Sequence, residues 1–179
     1  MRYWKSYLLY VPVLFVFIVM NAVLPLLSLN DLLILLKPVS SLINLFTGNH
    51  PVFIKDYGFH FSDLNIVIGA SCSGYNFWAL CFLLIAASFL KISKANFSVW
   101  IIIPLAILLS YVLTLLVNTI RIMISIYTQE IGDIVLTKRP HFLIHEITGT
   151  LVYVFSLFLI FLLISSFQKQ ISNNNEKPA

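Results

Sequence analysis

"FSVWIIIPLAILLSYVLTLLV" (Phe97–Val117) carries no charged residue in 21 positions. As a helix rising 1.5 Å per residue it reaches about 31 Å, the thickness of a bilayer's hydrocarbon core. The residues that follow, "NTIRIMISIY" (118–127), prolong the helix out of the membrane and set Asn118 and Arg121 at the end of the crossing. This one stretch points to a membrane protein with a polar group at the boundary.

The rest of the chain agrees. Of its 179 residues, 60% are hydrophobic and 10% charged, against about 25% charged in soluble domains. Three further apolar stretches are long enough to cross: Tyr7–Leu29, Tyr75–Leu90 with a start near Cys72, and Ile147–Phe167. Long runs without strict alternation argue against a β-barrel. The expectation is an all-α integral membrane helix bundle of about four transmembrane helices. The spans fall at about 7–29, 72–90, 97–127 and 145–167, within a single membrane domain over 1–168. "MRYWK" and the run after it resemble a signal peptide. The run exceeds a typical h-region of about 7–15 residues and shows no small-residue cleavage site, so a retained first span is expected. A net charge of +4 does not call for nucleic acid, because the basic residues cluster at span ends.

Those basic residues set direction. Arg2, Lys5, Lys91, Lys94, Lys169 and Lys177 fall on one side of a four-span chain; Lys37, Lys55, Lys138 and Arg139 fall on the other with nearly all the acids. Basic residues favour the cytoplasmic side, so both termini are expected inside, and residues 169–179 read as a disordered cytoplasmic tail.

The outer segment, 30–71, has two parts. "LLILLKPVSSLINLF" (Leu32–Phe46) is interrupted by Lys37-Pro38. Proline disfavours helix in the residue before it, and a mid-membrane lysine is costly. A helix-break-helix is expected, interfacial or re-entrant. From Val52 to Gly69, apolar and polar residues alternate around Ser62-Asp63, which predicts a small extracytoplasmic β-hairpin.

That hairpin leads into "GASCSGYNFW" (Gly69–Trp78). Cys72 sits there at the outer start of the second span, where unpaired backbone N–H groups favour an anion such as a thiolate. Ser71, Ser73 and Gly74 leave the sulfur accessible. A small residue at a helix start explains Cys72 equally well. Cys81, nine residues on, is too distant along one helix to pair with it and reads as packing. Arg121 reaches the same outer depth from the third span. Asn118, three residues before it, shares its face and is placed to hold the guanidinium; snorkelling to headgroups is the plainer reading of the arginine. His145 opens the last span near the outer face, and Gly149 one turn on makes room for a neighbouring helix; a structural histidine fits as well. Together, a thiol, an imidazole and a guanidinium from three spans meet at one depth. Thiol catalysis needs a nucleophile, a proton carrier and a positive group for the oxyanion.

Other chemistry fits less well. "HEITG" lacks the second histidine of a zinc-protease helix, and no phosphate or dinucleotide loop is present. His141 and His145 are four apart, but Pro140 interrupts the approach to them. No metal and no cofactor are expected.

The motifs "ASCSGYNF" (Ala70–Phe77), "NTIRI" (Asn118–Ile122) and "HEITG" (His145–Gly149), in that order, resemble those of the exosortase/archaeosortase membrane proteins. In size the chain is similar to the small exosortase K type. The resemblance covers roughly Val52 to Gly149. It implies a transpeptidase-like site with Cys72 as nucleophile, Arg121 as the arginine and His145 as the histidine. It implies a multi-pass protein of the bacterial cytoplasmic membrane with its site on the periplasmic face. The implied partner is an exported protein with a C-terminal motif, a transmembrane helix and a basic tail, passed to an acceptor nucleophile. Larger members carry more spans than this chain. A different class also accounts for the residues: a non-enzymatic membrane scaffold or small transporter in which Arg121 and His145 are structural.

Overall fold

The computed structural model describes residues 8–92, 99–135 and 141–175, with side chains over 8–91, 99–128 and 147–170. In chain order the helices are α1 (Tyr10–Val23), α2 (Leu33–Thr47), α3 (Tyr75–Ile92), α4 (Val99–Val135) and α5 (His141–Asn175). Between α2 and α3 lies a sheet of β1 (Val52–Ile54), β2 (Gly58–Phe61) and β3 (Ile66–Ile68). The protein is a mostly helical bundle with a small sheet at one end.

Three helical stretches are long and apolar enough to cross a membrane: Ala70–Lys91, Val99–Thr128 and Ile147–Gln170. The expected first span falls short among the described residues. Its apolar helix runs Tyr10–Leu26, and a 3₁₀ turn over Leu24–Leu26, with Pro25 inside it, passes into extended Leu27. Helix α4 is continuous through 37 residues, as its apolar period implies. Helix α5 also continues to Asn175, into the stretch expected to be a disordered tail. Adding a residue to an existing helix costs far less than starting one, so a long apolar helix carries polar residues along at its end.

Helix α3 is the hub. Val13 of α1, Ile102 and Ala106 of α4 and Ile160 of α5 are buried with Phe77, Cys81, Phe82, Ile85 and Ala86 of α3. Cys81 is fully buried there, in keeping with a packing role. Tyr75 ties its own end of this core to α1 by donating to the Met20 carbonyl at 3.1 Å.

The break expected at Lys37-Pro38 does not occur: α2 passes through Pro38. Proline removes the N–H that would bond the carbonyl four residues back, here that of Ile34. The Tyr111 hydroxyl of α4 donates to that carbonyl at 2.7 Å. A donor from a neighbouring helix thus replaces the missing one, a substitution that membrane helices with proline depend on. The polar end before α2 is closed by Asp31, whose Oδ2 accepts from the Ser28 backbone N–H at 2.8 Å and hydroxyl at 2.7 Å. These bonds hold its carboxyl below its ordinary pKa, so the turn is favoured above that range and loses this support as pH falls through the lowered value. Helix α2 starts level with Tyr111 and ends with Phe46 beside Met123, so it runs parallel to α4.

The expected hairpin is the β2–β3 half of a three-stranded antiparallel sheet in the order β1-β2-β3. Val52 pairs with His60 and Phe59 with Ile68. The added strand comes from "VFI" (Val52–Ile54), which is exposed and shows no alternation in burial. Phe61 and Ile68 are buried with Leu36, Val39 and Ile43 of α2 and with Ile122 and Ile126 of α4. This packing fixes the sheet over the end of the bundle where Cys72 lies.

The Pro38–Tyr111 relation predicts a non-additive pair. Tyr111→Phe should lower unfolding stability in detergent by about 0.5–1.5 kcal/mol, the net worth of one hydrogen bond. In a Pro38→Ala background the same change should cost almost nothing, because an alanine backbone supplies the N–H that proline lacks. Equal costs in both backgrounds would contradict the assignment.

Candidate functional site

Cys72 precedes α3 rather than beginning it, since the helix starts three residues later than the sequence suggests. Cys72 ends a 3₁₀ turn over Ala70–Cys72, and α3 starts at Tyr75. Gly74 separates the two with φ +75°, a backbone conformation that L side chains rarely adopt. The Ser73 hydroxyl accepts from the Tyr75 N–H at 3.4 Å, meeting one of the helix's unpaired donors. Ser71 Oγ is 3.9 Å from the Cys72 sulfur. Cys72 itself is 8% exposed and forms no disulfide.

Asn118 and Arg121 reach this turn from α4. That helix buries a stripe of polar residues: Ser110, Thr114, Asn118, Arg121 and Ser125. Ser110 and Thr114 bond back to carbonyls of their own helix, so their polarity is met locally. Asn118 instead crosses to the turn. Its Nδ2 donates to the Cys72 carbonyl at 2.7 Å, which fixes the backbone that carries the thiol.

The side-chain oxygen of Asn118 is used as well. It accepts from Arg121 Nη1 at 3.4 Å and from the Tyr153 hydroxyl at 2.7 Å. Arg121 Nη1 also donates to the Tyr153 oxygen at 3.2 Å, and the guanidinium carbon lies 4.9 Å from the centre of the Tyr153 ring. Tyr153 is stacked on Phe77 of α3 at 4.8 Å. The guanidinium is therefore held by two acceptors and a π face. Its Nε is buried and has no hydrogen-bond partner among the described residues.

Glycine permits this closeness twice. A Cβ on Gly149 would come within 2.4 Å of Arg121 Nε, and one on Gly74 within 3.1 Å of the Asn118 amide carbon. The sequence suggests that Gly149 admits a neighbouring helix; what it admits is the Arg121 side chain. The structure thus brings together Cys72, Ser73, Gly74, Asn118, Arg121 and Gly149. His145 is in the second turn of α5, one turn before Gly149, and its side chain lies outside the described residues.

Tyr153 is the member that sequence reasoning missed. The signal was available as spacing: His145, Gly149 and Tyr153 are successive at four residues, which places them along one stripe of α5. Among the described residues no cluster of three or more His, Cys, Asp or Glu is placed to hold a metal. Comparison with family models, curated proteins and solved structures finds no match.

Gly149→Ala should force the guanidinium off its acceptors. We expect it to lower stability by about 1–3 kcal/mol, the usual cost of overpacking. Leu151→Ala, on the exposed side of α5, should stay within about 0.5 kcal/mol. Thermal unfolding of both variants in detergent checks this, and equal stabilities would mean that Arg121 has room to move.

Proposed function

We propose that the chain is a membrane-embedded cysteine transpeptidase or protease resembling the exosortases and archaeosortases. In this reading it cleaves C-terminal sorting signals of exported proteins through a Cys72 thioester and passes them to a surface acceptor. One observation carries most of the weight: the Asn118–Arg121–Tyr153 cluster is bonded to the Cys72 turn, at a single end of three apolar helices. A positive group tied through Asn118 to the turn that carries a thiol suits acyl transfer.

The proposed chemistry uses these residues in turn. His145 takes the Cys72 proton, and the thiolate adds to the scissile carbonyl. A C–S bond forms and the carbonyl π pair moves to oxygen. Arg121 stabilises that oxyanion through its positive charge. On collapse the C–N bond breaks and His145 returns the proton to the leaving amine, which leaves a thioester. The acceptor then gives its proton to His145 and adds to the thioester carbonyl, and the C–S bond breaks to restore the thiolate. Water, an amine or a hydroxyl all satisfy this balance. Asn118 positions the Cys72 backbone, and Tyr153 orients Arg121.

The test is processing of a membrane-anchored export substrate, normalised to enzyme in the membrane. Cys72→Ala should abolish it, Cys81→Ala should leave it intact, and His145→Ala should slow it by about 10²–10⁴. Arg121→Lys keeps the charge and loses the guanidinium fork, so a slowing of at least ~100-fold is expected if a fixed oxyanion donor is lost. Trapping of an acyl group on Cys72 in whole membranes would support the thioester directly. Full turnover by Cys72→Ala would overturn the mechanism and favour the scaffold reading.

A further inference from the structure

The two edges of the sheet are finished differently. On the β1 edge, Pro51 precedes the strand and Lys55 and Asp56 follow it. Proline and charge are common means of keeping a sheet edge from pairing. The β3 edge has neither. It reads Ile66-Val67-Ile68 between Asn65 and Gly69, and among the described residues no strand pairs with its outer side. Val67 is 47% exposed there.

This unguarded edge adjoins the candidate nucleophile. A small cavity of about 30 Å³ is lined by all three residues of β3, by Ile122, Ser125 and Ile126 of α4, and by Cys72. It sets Cys72 and this part of α4 next to β3. Cys72 follows Ile68 by four residues, and its carbonyl is fixed by Asn118, so edge and thiol are held in one frame.

We infer that the free edge of β3 binds an extended polypeptide by strand addition, so that the peptide's scissile carbonyl is laid beside Cys72. The inference rests on the peptidase reading above and adds how the substrate backbone is held. The occupant follows from the chemistry of an edge. An edge strand offers N–H and C=O groups from alternate residues, spaced to match another extended chain at about 3.3 Å per residue. Lipid tails have no groups to meet them.

The test uses the full chain in lipid nanodiscs and a set of hexapeptide vinyl sulfones, each carrying one backbone N-methyl group. Cys72 adds to the vinyl carbon and the proton goes to the neighbouring carbon, so nothing leaves, and mass spectrometry gives the rate. N-methylation should slow capture by about tenfold at the one or two positions that face β3, which is three residues long, and be tolerated at the positions beside them, as expected for lost backbone hydrogen bonds. This pattern is read on the unaltered protein and does not depend on any variant folding. Val67→Lys should slow every peptide by about tenfold, on the same estimate, with iodoacetamide labelling of Cys72 unchanged. Peptides captured without that pattern would overturn strand addition and leave the peptidase reading standing. Iodoacetamide labelling with no capture of any peptide would overturn both.

Discussion

A guanidinium that is 8% exposed has to be surrounded by groups that accept it. Much of the site can be understood from that requirement. Asn118 supplies one acceptor from the same helix, and Tyr153 supplies another from α5 together with its ring face. Both partners must come close, so the positions facing them are glycines. Gly149 gives way to the guanidinium, and Gly74 gives way to the Asn118 amide and the Tyr153 hydroxyl. A methyl group at either position would enter space that the cluster already fills.

The same cluster positions the cysteine. Asn118 is shared: its oxygen serves Arg121 and Tyr153, and its nitrogen serves the Cys72 carbonyl. Displacing the arginine would therefore disturb the turn that carries the thiol. Phe77, stacked on Tyr153, links this polar group to the apolar core of α3. Buried groups of this kind are demanding, since a lost partner leaves a polar atom unmet. The Nε of Arg121, left without an acceptor among the described residues, is the position at which this demand is not met.

The surrounding fold uses a related device at lower stakes. Tyr111 supplies the Ile34 carbonyl with the donor that Pro38 lacks. Helix α2 can then continue along α4 and pack its buried face against the sheet that roofs the cysteine turn. Two hydroxyls on apolar helices, those of Tyr111 and Tyr153, thus connect elements distant in sequence.

The sequence by itself determined the helical class of the fold and the grouping of Cys72, Asn118, Arg121 and Gly149. The apolar runs have to be helical where backbone groups lack water, and their lengths place Cys72, Asn118, Arg121 and Gly149 at one end. Rise per residue is a local property, so depth was legible. The alternation around Ser62-Asp63 likewise marked β2 and β3. What tertiary structure alone decided was which neighbour completes each group. Pro38 reads as a break because the donor that rescues Ile34 lies 77 residues away. β1 was hidden because its exposed residues show no alternation, and its place comes from pairing with β2. Tyr153 was passed over because an aromatic residue in an apolar helix reads as packing until its hydroxyl meets Asn118 and Arg121. Depth along a helix follows from counting residues, whereas partnership across helices depends on how the helices rotate and pack against one another.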